Sequence, residues 1–425
     1  MFTIFFAKSK SGCWQFLLMA VNILFMVFLQ FPLFIARRFG MKKRYGTKAI
    51  HSGEHPEWFN QAVTGDISPS TTYVIPNAKS LEGWDGYIYS RISNPTRKSL
   101  EEKIASLDDC ESAVALSSGM AAVSVGLMSC LSAGDMIVAQ NSLYGGTYDL
   151  VVNVLPKFGV KTLFVPKEKL YNLSWAPKEA KVAYIETPSN PTLGITDIRA
   201  TCTAAHGRDM LVVADNSFAT SYLQKPASLG VDLVVYSATK FMAGHSDCLA
   251  GAITGRNDLV EKAYRLMTQF GSPLDPFSCF LLARGLKTLE LRMNKAQSTA
   301  MEIARFLANH PKVARVFYPG LWNSPERELA LTQMKGWGGM VTFEMKGGFE
   351  GASALFDNLQ LIFRAGSLGG IESCISIPVL MSHHHLDEAA LKEADITSGM
   401  LRLSVGIEDN SDLIEDLTQA LEKVK

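Results

Sequence analysis

Four uninterrupted apolar runs mark the middle of the chain: DMIVAQ (135–140), KVAYIET (181–187), DMLVVADNS (209–217) and DLVVYSATK (232–240). Short β-branched runs separated by helix-length segments are what strands buried on both faces of a parallel sheet require. The pattern predicts an α/β domain, a mostly parallel central sheet with helices on both faces. Just ahead of it, Leu100, Ile104 and Leu107 recur at helical spacing and give way to VALSSGMAAVSVGLMSCL. That stretch predicts a short strand, a tight Ser-Ser-Gly turn and a helix of small residues. Beyond about Asp275 the pattern changes to one long helical stretch (277–310), followed by the amphipathic strands GMVTFEMKG and LIFRAGSLGG, then LRLSVGIED and a terminal helix. Strands with one wet face alternating with helices predict a smaller C-terminal α+β domain. Residues 41–96 are rich in Gly, Pro, Ser and Thr, which suits an extended arm of the kind that wraps a partner subunit. The expected organisation is an arm over 41–96, an α/β domain over 97–284 and an α+β domain over 285–425.

The first forty residues follow a different rule. Phe16 to Ala36 carries no formal charge over twenty-one residues and is closed by Arg37 and Arg38. Roughly 20 apolar residues suffice to span a bilayer. The basic excess after the run would leave the large C-terminal part in the cytosol. The alternative is that Met41 is the true start and the preceding segment extends the gene upstream. Membrane contact is expected only if residues 16–36 are expressed, and the expected location is otherwise cytoplasmic.

Composition removes several classes of function. The 41 basic and 41 acidic side chains balance, and charged residues are 19% against 47% hydrophobic, so neither disorder nor a nucleic-acid partner is expected. Seven cysteines, with no CxxC pair, fit neither a secreted disulfide framework nor a zinc site. A reducing compartment is expected, and no metal.

The candidate chemistry lies at strand ends, because ligands of open parallel sheets bind where the loops beyond the carboxyl edge converge. Two buried runs end in reactive side chains, Asp215 in VVADNS and Lys240 in YSATK. A carboxylate there wants a cation, and a lysine there wants to be neutral, paired or covalently engaged. A structural ion pair would satisfy both. So would pyridoxal phosphate (PLP), whose aldehyde condenses with a lysine and whose pyridine nitrogen is kept protonated by an aspartate. Its phosphate needs backbone N–H groups at a helix start, and Gly119 and Met120 open one; the hydroxyls of Ser237 and Thr239 bracket the turn before Lys240.

These residues sit in a longer series: YSRISNPT (89–96), SSGMAA (117–122), YGGT (144–147), ETPSNP (186–191), ADNSFA (214–219), SATKFMAGHSD (237–247), RGLKTLELRM (284–293), SLGGIES (367–373) and LRLSVGIED (401–409). The series resembles the Cys/Met-metabolism family of PLP enzymes, which includes cystathionine γ-lyase, cystathionine β-lyase, cystathionine γ-synthase and methionine γ-lyase. The resemblance implies a fold-type I PLP-enzyme architecture. It implies Lys240 as the lysine that carries the cofactor and shuttles protons, Asp215 on the pyridine nitrogen, and Tyr144 stacked on the ring and serving in proton transfer. Gly119, Met120, Ser237 and Thr239 would hold the phosphate, joined by Tyr89 and Arg91 of a neighbouring subunit in a homotetramer built as a dimer of dimers. Asn190 would lie near the cofactor's phenolic oxygen. Arg402 would clamp the substrate carboxylate, with Ser367 helping to position substrate and lysine.

Within the family the expected reaction is trans-sulfuration on an amino-acid thioether, first of all γ-elimination of L-cystathionine to cysteine, 2-oxobutanoate and ammonia, because SIPVLMSH and LSVGIEDNSDLIEDL are similar to the eukaryotic γ-lyases. Three positions depart from well-known members. Gly366 stands where cystathionine γ-lyases commonly carry an acidic residue, Gly146 where bacterial methionine γ-lyases carry a cysteine, and Leu368 where bacterial β-lyases often carry an aromatic. The alternatives are β-elimination, methionine γ-lyase activity, γ-replacement by a cystathionine γ-synthase or sulfhydrylase, and a catalytically silent membrane-tethered scaffold. His383, His384 and His385 are expected to form a solvated loop.

Overall fold

The apolar runs alternate their side chains between two separate cores, and this is what makes them continuous. The computed structural model describes residues 43–58, 60–384 and 386–425. Among these, twelve strands form two sheets. The first contains β1 (Ser112–Leu116), β2 (Met136–Gln140), β3 (Lys161–Val165), β4 (Ala180–Glu186), β5 (Leu211–Asp215), β6 (Leu233–Tyr236) and β7 (Gly251–Gly255). Their spatial order is β1-β7-β6-β5-β4-β2-β3, with β7 antiparallel to both neighbours and every other pair parallel.

On β4, Val182 and Tyr184 face one core while Ala183 and Ile185 face the other. On β6, Leu233 and Val235 are opposed in the same way by Val234 and Tyr236. Helices Gly119–Cys130 and Asn257–Phe270 cover one face, through Val123, Leu127, Leu259 and Met267. Helices Pro95–Asp108, Ile198–His206 and Pro276–Leu286 contribute to the other core. A side-chain period of two on a sheet covered on both sides demands this uniform apolarity.

The second sheet contains β8 (Val313–Phe317), β9 (Met340–Met345), β10 (Phe363–Arg364), β11 (Cys374–Ser376) and β12 (Met400–Ser404), in the order β10-β11-β12-β9-β8. It is mixed, with one parallel pair, β10 with β11. Tyr45–Lys425 forms one compact unit.

Two expected elements take a different form. The helical stretch over 277–310 is two helices, Pro276–Leu286 and Leu289–Ala308, broken at Lys287 and Thr288. Arg292 reaches back across the break and donates to the carbonyls of Phe241 (2.7 Å) and Gly285 (2.8 Å), which anchors the end of the first helix to the segment after Lys240. LIFRAGSLGG keeps only two strand residues, Phe363 and Arg364. The remainder wraps around Lys240: at Gly369 (φ +79°) a Cβ would lie 2.4 Å from the Phe241 nitrogen, so the SLGG turn needs glycine to approach so closely.

Among the described residues no helix is long and apolar enough to cross a membrane. Phe16–Ala36, either an anchor or part of an upstream extension on the sequence reading, lies outside the described residues. The six described cysteines are all free.

Candidate active site

Five strands of the first sheet deliver their residues to one cavity at its carboxyl edge. Glu186 ends β4 and Asp215 ends β5, and the two are partners in the strand register. Lys240 follows β6, Tyr144 follows β2, and Gly119 begins the helix after β1. The cavity holds about 400 Å³ and is lined by Gly119, Met120, Tyr144, Asn190, Asp215, Ser237, Thr239, Lys240 and Arg402 of the sequence-derived set. Ser367 joins them through its hydroxyl, which accepts from Lys240 Nζ at 3.1 Å.

The structural ion pair is not what these residues form. Lys240 bonds to Ser367, and among the described residues no lysine or arginine is within ion-pairing distance of Asp215. Asp215 accepts the Ser217 N–H at 2.8 Å, and burial raises its pKa. A buried carboxylate with no protein cation fits a cationic ring nitrogen. Burial, and after it the charge of Arg402, lowers the Lys240 pKa to about 8, so a useful share of the amine is neutral near physiological pH.

The anion end of the cavity is built by close approach. A Cβ on Gly119 would lie 2.6 Å from both Cβ and Oγ of Ser237, so only glycine lets this helix start meet the turn before Lys240. Ser118 caps the helix by accepting the Ala121 N–H at 3.1 Å, and the first helical N–H groups, on Gly119 and Met120, have no intrahelical acceptor. Ser237 Oγ has no protein partner among the described residues. Thr239 also lines the cavity, but its hydroxyl is engaged with Ala250, donating to the carbonyl at 3.1 Å and accepting the N–H at 2.9 Å.

The second sheet supplies the cation. Arg402 is 2% exposed in the middle of β12, between β11 and β9. Its Nη1 donates to Asn190 Oδ1 at 2.9 Å, and its Nη2 reaches the carbonyls of Gly366 and Ser367 at 3.4 Å. Its Nε is buried without a partner. A buried guanidinium with an unmet donor at a cavity wall is suited to a carboxylate. Burial lowers its pKa to about 10, which leaves it charged at neutral pH.

Tyr89 and Arg91 are not brought into this cavity. Both are exposed, Arg91 stacks on the Tyr89 ring at 5.5 Å, and its Nη1 donates to the Thr268 carbonyl at 2.8 Å. His383 corrects the solvated-loop expectation: it is 1% exposed and its ring meets the Leu143 carbonyl at 3.3 Å, while His384 is exposed and His385 lies outside the described residues. Val379, just ahead of His383, packs against the core and draws this loop inward, while Leu380 stays exposed. Glu186 and Ser217 are among the cavity residues that have no role in the sequence reading, although both stand in quoted motifs. Among the described residues no group of three or more His, Cys, Asp or Glu side chains is placed to hold a metal.

The fold and this cavity define an α/β enzyme built for an anionic, cationic-ringed cofactor attached to a lysine. The chain belongs to the family of Cys/Met metabolism PLP-dependent enzymes, whose profile matches residues 46–422. It is 42% identical over 393 residues to an L-methionine gamma-lyase of Fusobacterium nucleatum subsp. nucleatum, covering 90% of this chain and 99% of the relative. It is also 42% identical over 386 residues to the cystathionine gamma-lyase of Mus musculus, covering 89% and 95%. A solved structure of cystathionine gamma-lyase from Lactobacillus plantarum complexed with L-serine is similar with a TM-score of 0.86 at 37% identity, covering 90% of this chain and 99% of that one. Relatives at equal identity carry different substrate names, so identity leaves the thioether open.

Proposed function

We propose that the chain is a carbon–sulfur lyase that cleaves L-cystathionine by γ-elimination. The observation that carries the reading is the Lys240–Ser367–Arg402 cluster. The Ser367 hydroxyl accepts from Lys240 and the Ser367 carbonyl from Arg402, so one residue sets the spacing between a base and a carboxylate clamp. That spacing suits an α-amino acid, whose carboxylate and Cα are directly bonded. When bound, PLP supplies covalent attachment for the substrate amine and an electron sink that makes the α-proton removable.

The chain's own residues do the rest. Arg402 holds the carboxylate and orients Cα toward Lys240. The Lys240 amine takes the proton from Cα and then works at Cβ as sulfur leaves Cγ. Tyr144 stands at the cavity wall, where a phenol can move a proton at the departing sulfur. Gly119, Met120 and Ser237 would hold the phosphate, and Asp215 would keep the ring nitrogen charged. The likeness of SIPVLMSH and LSVGIEDNSDLIEDL to the eukaryotic γ-lyases supports the cystathionine substrate, and cysteine spacings that frame no disulfide set support a cytoplasmic location.

A second reading, methionine γ-lyase, has one observation in its favour. Gly366, Leu368, Met381 and Leu249 give the cavity uncharged lining, and among the described residues no charged group stands beside them to meet the distal ammonium and carboxylate of cystathionine. Product analysis separates these reactions. The PLP-loaded chain given L-cystathionine is expected to release cysteine and 2-oxobutanoate; homocysteine and pyruvate would mean β-cleavage, and a kcat/KM higher for L-methionine than for cystathionine would favour the second reading.

We also place Tyr89 and Arg91 at the site of a neighbouring subunit, since both are exposed and outside the cavity of their own chain. Mixing Arg91→Ala with Lys240→Ala subunits is then expected to restore part of the activity, because some hybrid sites receive both native residues. No recovery despite demonstrated exchange would place both residues in one chain.

A further inference from the structure

A second carboxyl group stands beside Asp215, and the reaction described above does not use it. Glu186 is 4% exposed, ends β4 in register with Asp215, and lines the same cavity. Register partners on adjacent parallel strands point to the same face of the sheet, so the two carboxyl groups share one low-dielectric space. Glu186 accepts the Tyr144 N–H, and among the described residues no lysine, arginine or histidine is within ion-pairing distance of it or of Asp215. A bound ring nitrogen would offset one negative charge only. Two carboxyl groups confined together with a single counter-charge do not both ionise.

Glu186 does have a structural task. Its Oε2 accepts the backbone N–H of Tyr144 at 2.8 Å, at the point where Tyr144 begins helix Gly145–Asp149. The ring of Tyr144 is packed over Gly146, where a Cβ would lie 2.6 Å from Tyr144 Cε1. A bond to the backbone below and a tight contact beside the ring together fix where the phenol stands. The other oxygen, Oε1, is buried without a hydrogen-bond partner, as are Thr147 Oγ1 and Tyr184 Oη.

We propose that Glu186 is a positioning residue held as a neutral carboxylic acid, which anchors Tyr144 over the cofactor while leaving Asp215 as the single anion available to the ring nitrogen. Burial first, and then the charge of Asp215, raises the Glu186 pKa well above the ordinary carboxylate range, in agreement with this assignment. The neutral state matters to the chemistry. A second anion beside Asp215 would over-stabilise the protonated ring in the ground state and would repel electron density arriving from the substrate. A neutral acid keeps the anchor and avoids both effects.

The inference rests on the PLP reading of the cavity, and its test separates the two. A wild-type chain that takes up no PLP, seen as the absence of a visible absorption band after incubation and desalting, would remove the cofactor reading itself. Given a loaded wild type, Glu186→Ala is expected to keep the cofactor yet lose roughly tenfold or more in kcat, with a weaker induced circular dichroism of the cofactor band, because Tyr144 is released. Glu186→Gln supplies an uncharged acceptor of the same shape and is expected to rescue most of both losses. Infrared difference spectra of the wild type against Glu186→Gln are expected to show a carboxylic-acid C=O stretch at neutral pH that the variant lacks. This readout stands even if the alanine variant does not fold. Failure of Gln to rescue, a carboxylate stretch in place of the acid band, or an alanine variant with native kcat and dichroism would each overturn the proposal.

Discussion

Replacing Lys240 with alanine is expected to abolish turnover, with a loss of at least about 10⁴-fold, because on the proposed reading the variant removes both the amine that carries the cofactor and the base that works at Cα and Cβ. Among the described residues no second lysine lines the cavity. The other cation there, Arg402, stays charged at neutral pH and cannot take over as a base. The loss should not come from unfolding. The Lys240 ammonium is partly desolvated and makes a single hydrogen bond, to Ser367, so truncation removes an awkward charge and leaves room at an existing cavity. Far-ultraviolet dichroism and thermal unfolding of the cofactor-free variant should match the wild type. Steady-state assays showing native turnover in Lys240→Ala would place the catalytic base elsewhere.

Asp215→Asn is expected to lower turnover by roughly 10²-fold or more, since an uncharged amide no longer favours the protonated ring and preorganised charge is commonly worth that much. The side chain would keep its shape and could still accept the Ser217 N–H. Stability of the cofactor-free chain should move the other way. Burial raises the Asp215 pKa in the folded protein above its unfolded value. The folded state therefore holds its proton more tightly, and the aspartate becomes a growing penalty as pH rises above the unfolded pKa, reaching its full size above the folded one. Asparagine removes that penalty, so the cofactor-free variant should melt at a higher temperature than the wild type at neutral pH, and at nearly the same temperature in acid. Native turnover, or a lower melting temperature at neutral pH, would contradict this role for Asp215.

The strands buried on both faces were legible in the sequence because burial on two sides forces an apolar residue at every position. β7 escaped for a physical reason. It is buried throughout between β1 and β6, yet it reads GAITG. At Gly251 a Cβ would lie 2.0 Å from the Ser118 carbonyl oxygen, so close backbone approach excludes the branched side chains by which strands are recognised. The short β11 and the partly exposed β8 lacked a long enough apolar run.

In the cavity, Asp215 and Lys240 could be read because each ends or follows a run that should have continued apolar. Glu186 ends the same kind of run in KVAYIET, but a glutamate at a strand end normally reads as the first solvated residue. Its partner, Tyr144, is 42 residues earlier in the chain, a distance that no local pattern carries. The Arg402–Asn190 contact spans 212 residues and joins the two sheets. Commitment of the Thr239 hydroxyl to Ala250 likewise depends on a backbone position eleven residues away.

The most direct test of the account is to locate the cofactor's point of attachment. The chain loaded with PLP, reduced with borohydride, digested and mapped by mass spectrometry should carry a single pyridoxyl group on Lys240, and loading should be lost in Lys240→Ala. A pyridoxyl group on any other lysine, with Lys240 unmodified, would contradict the site described for this protein.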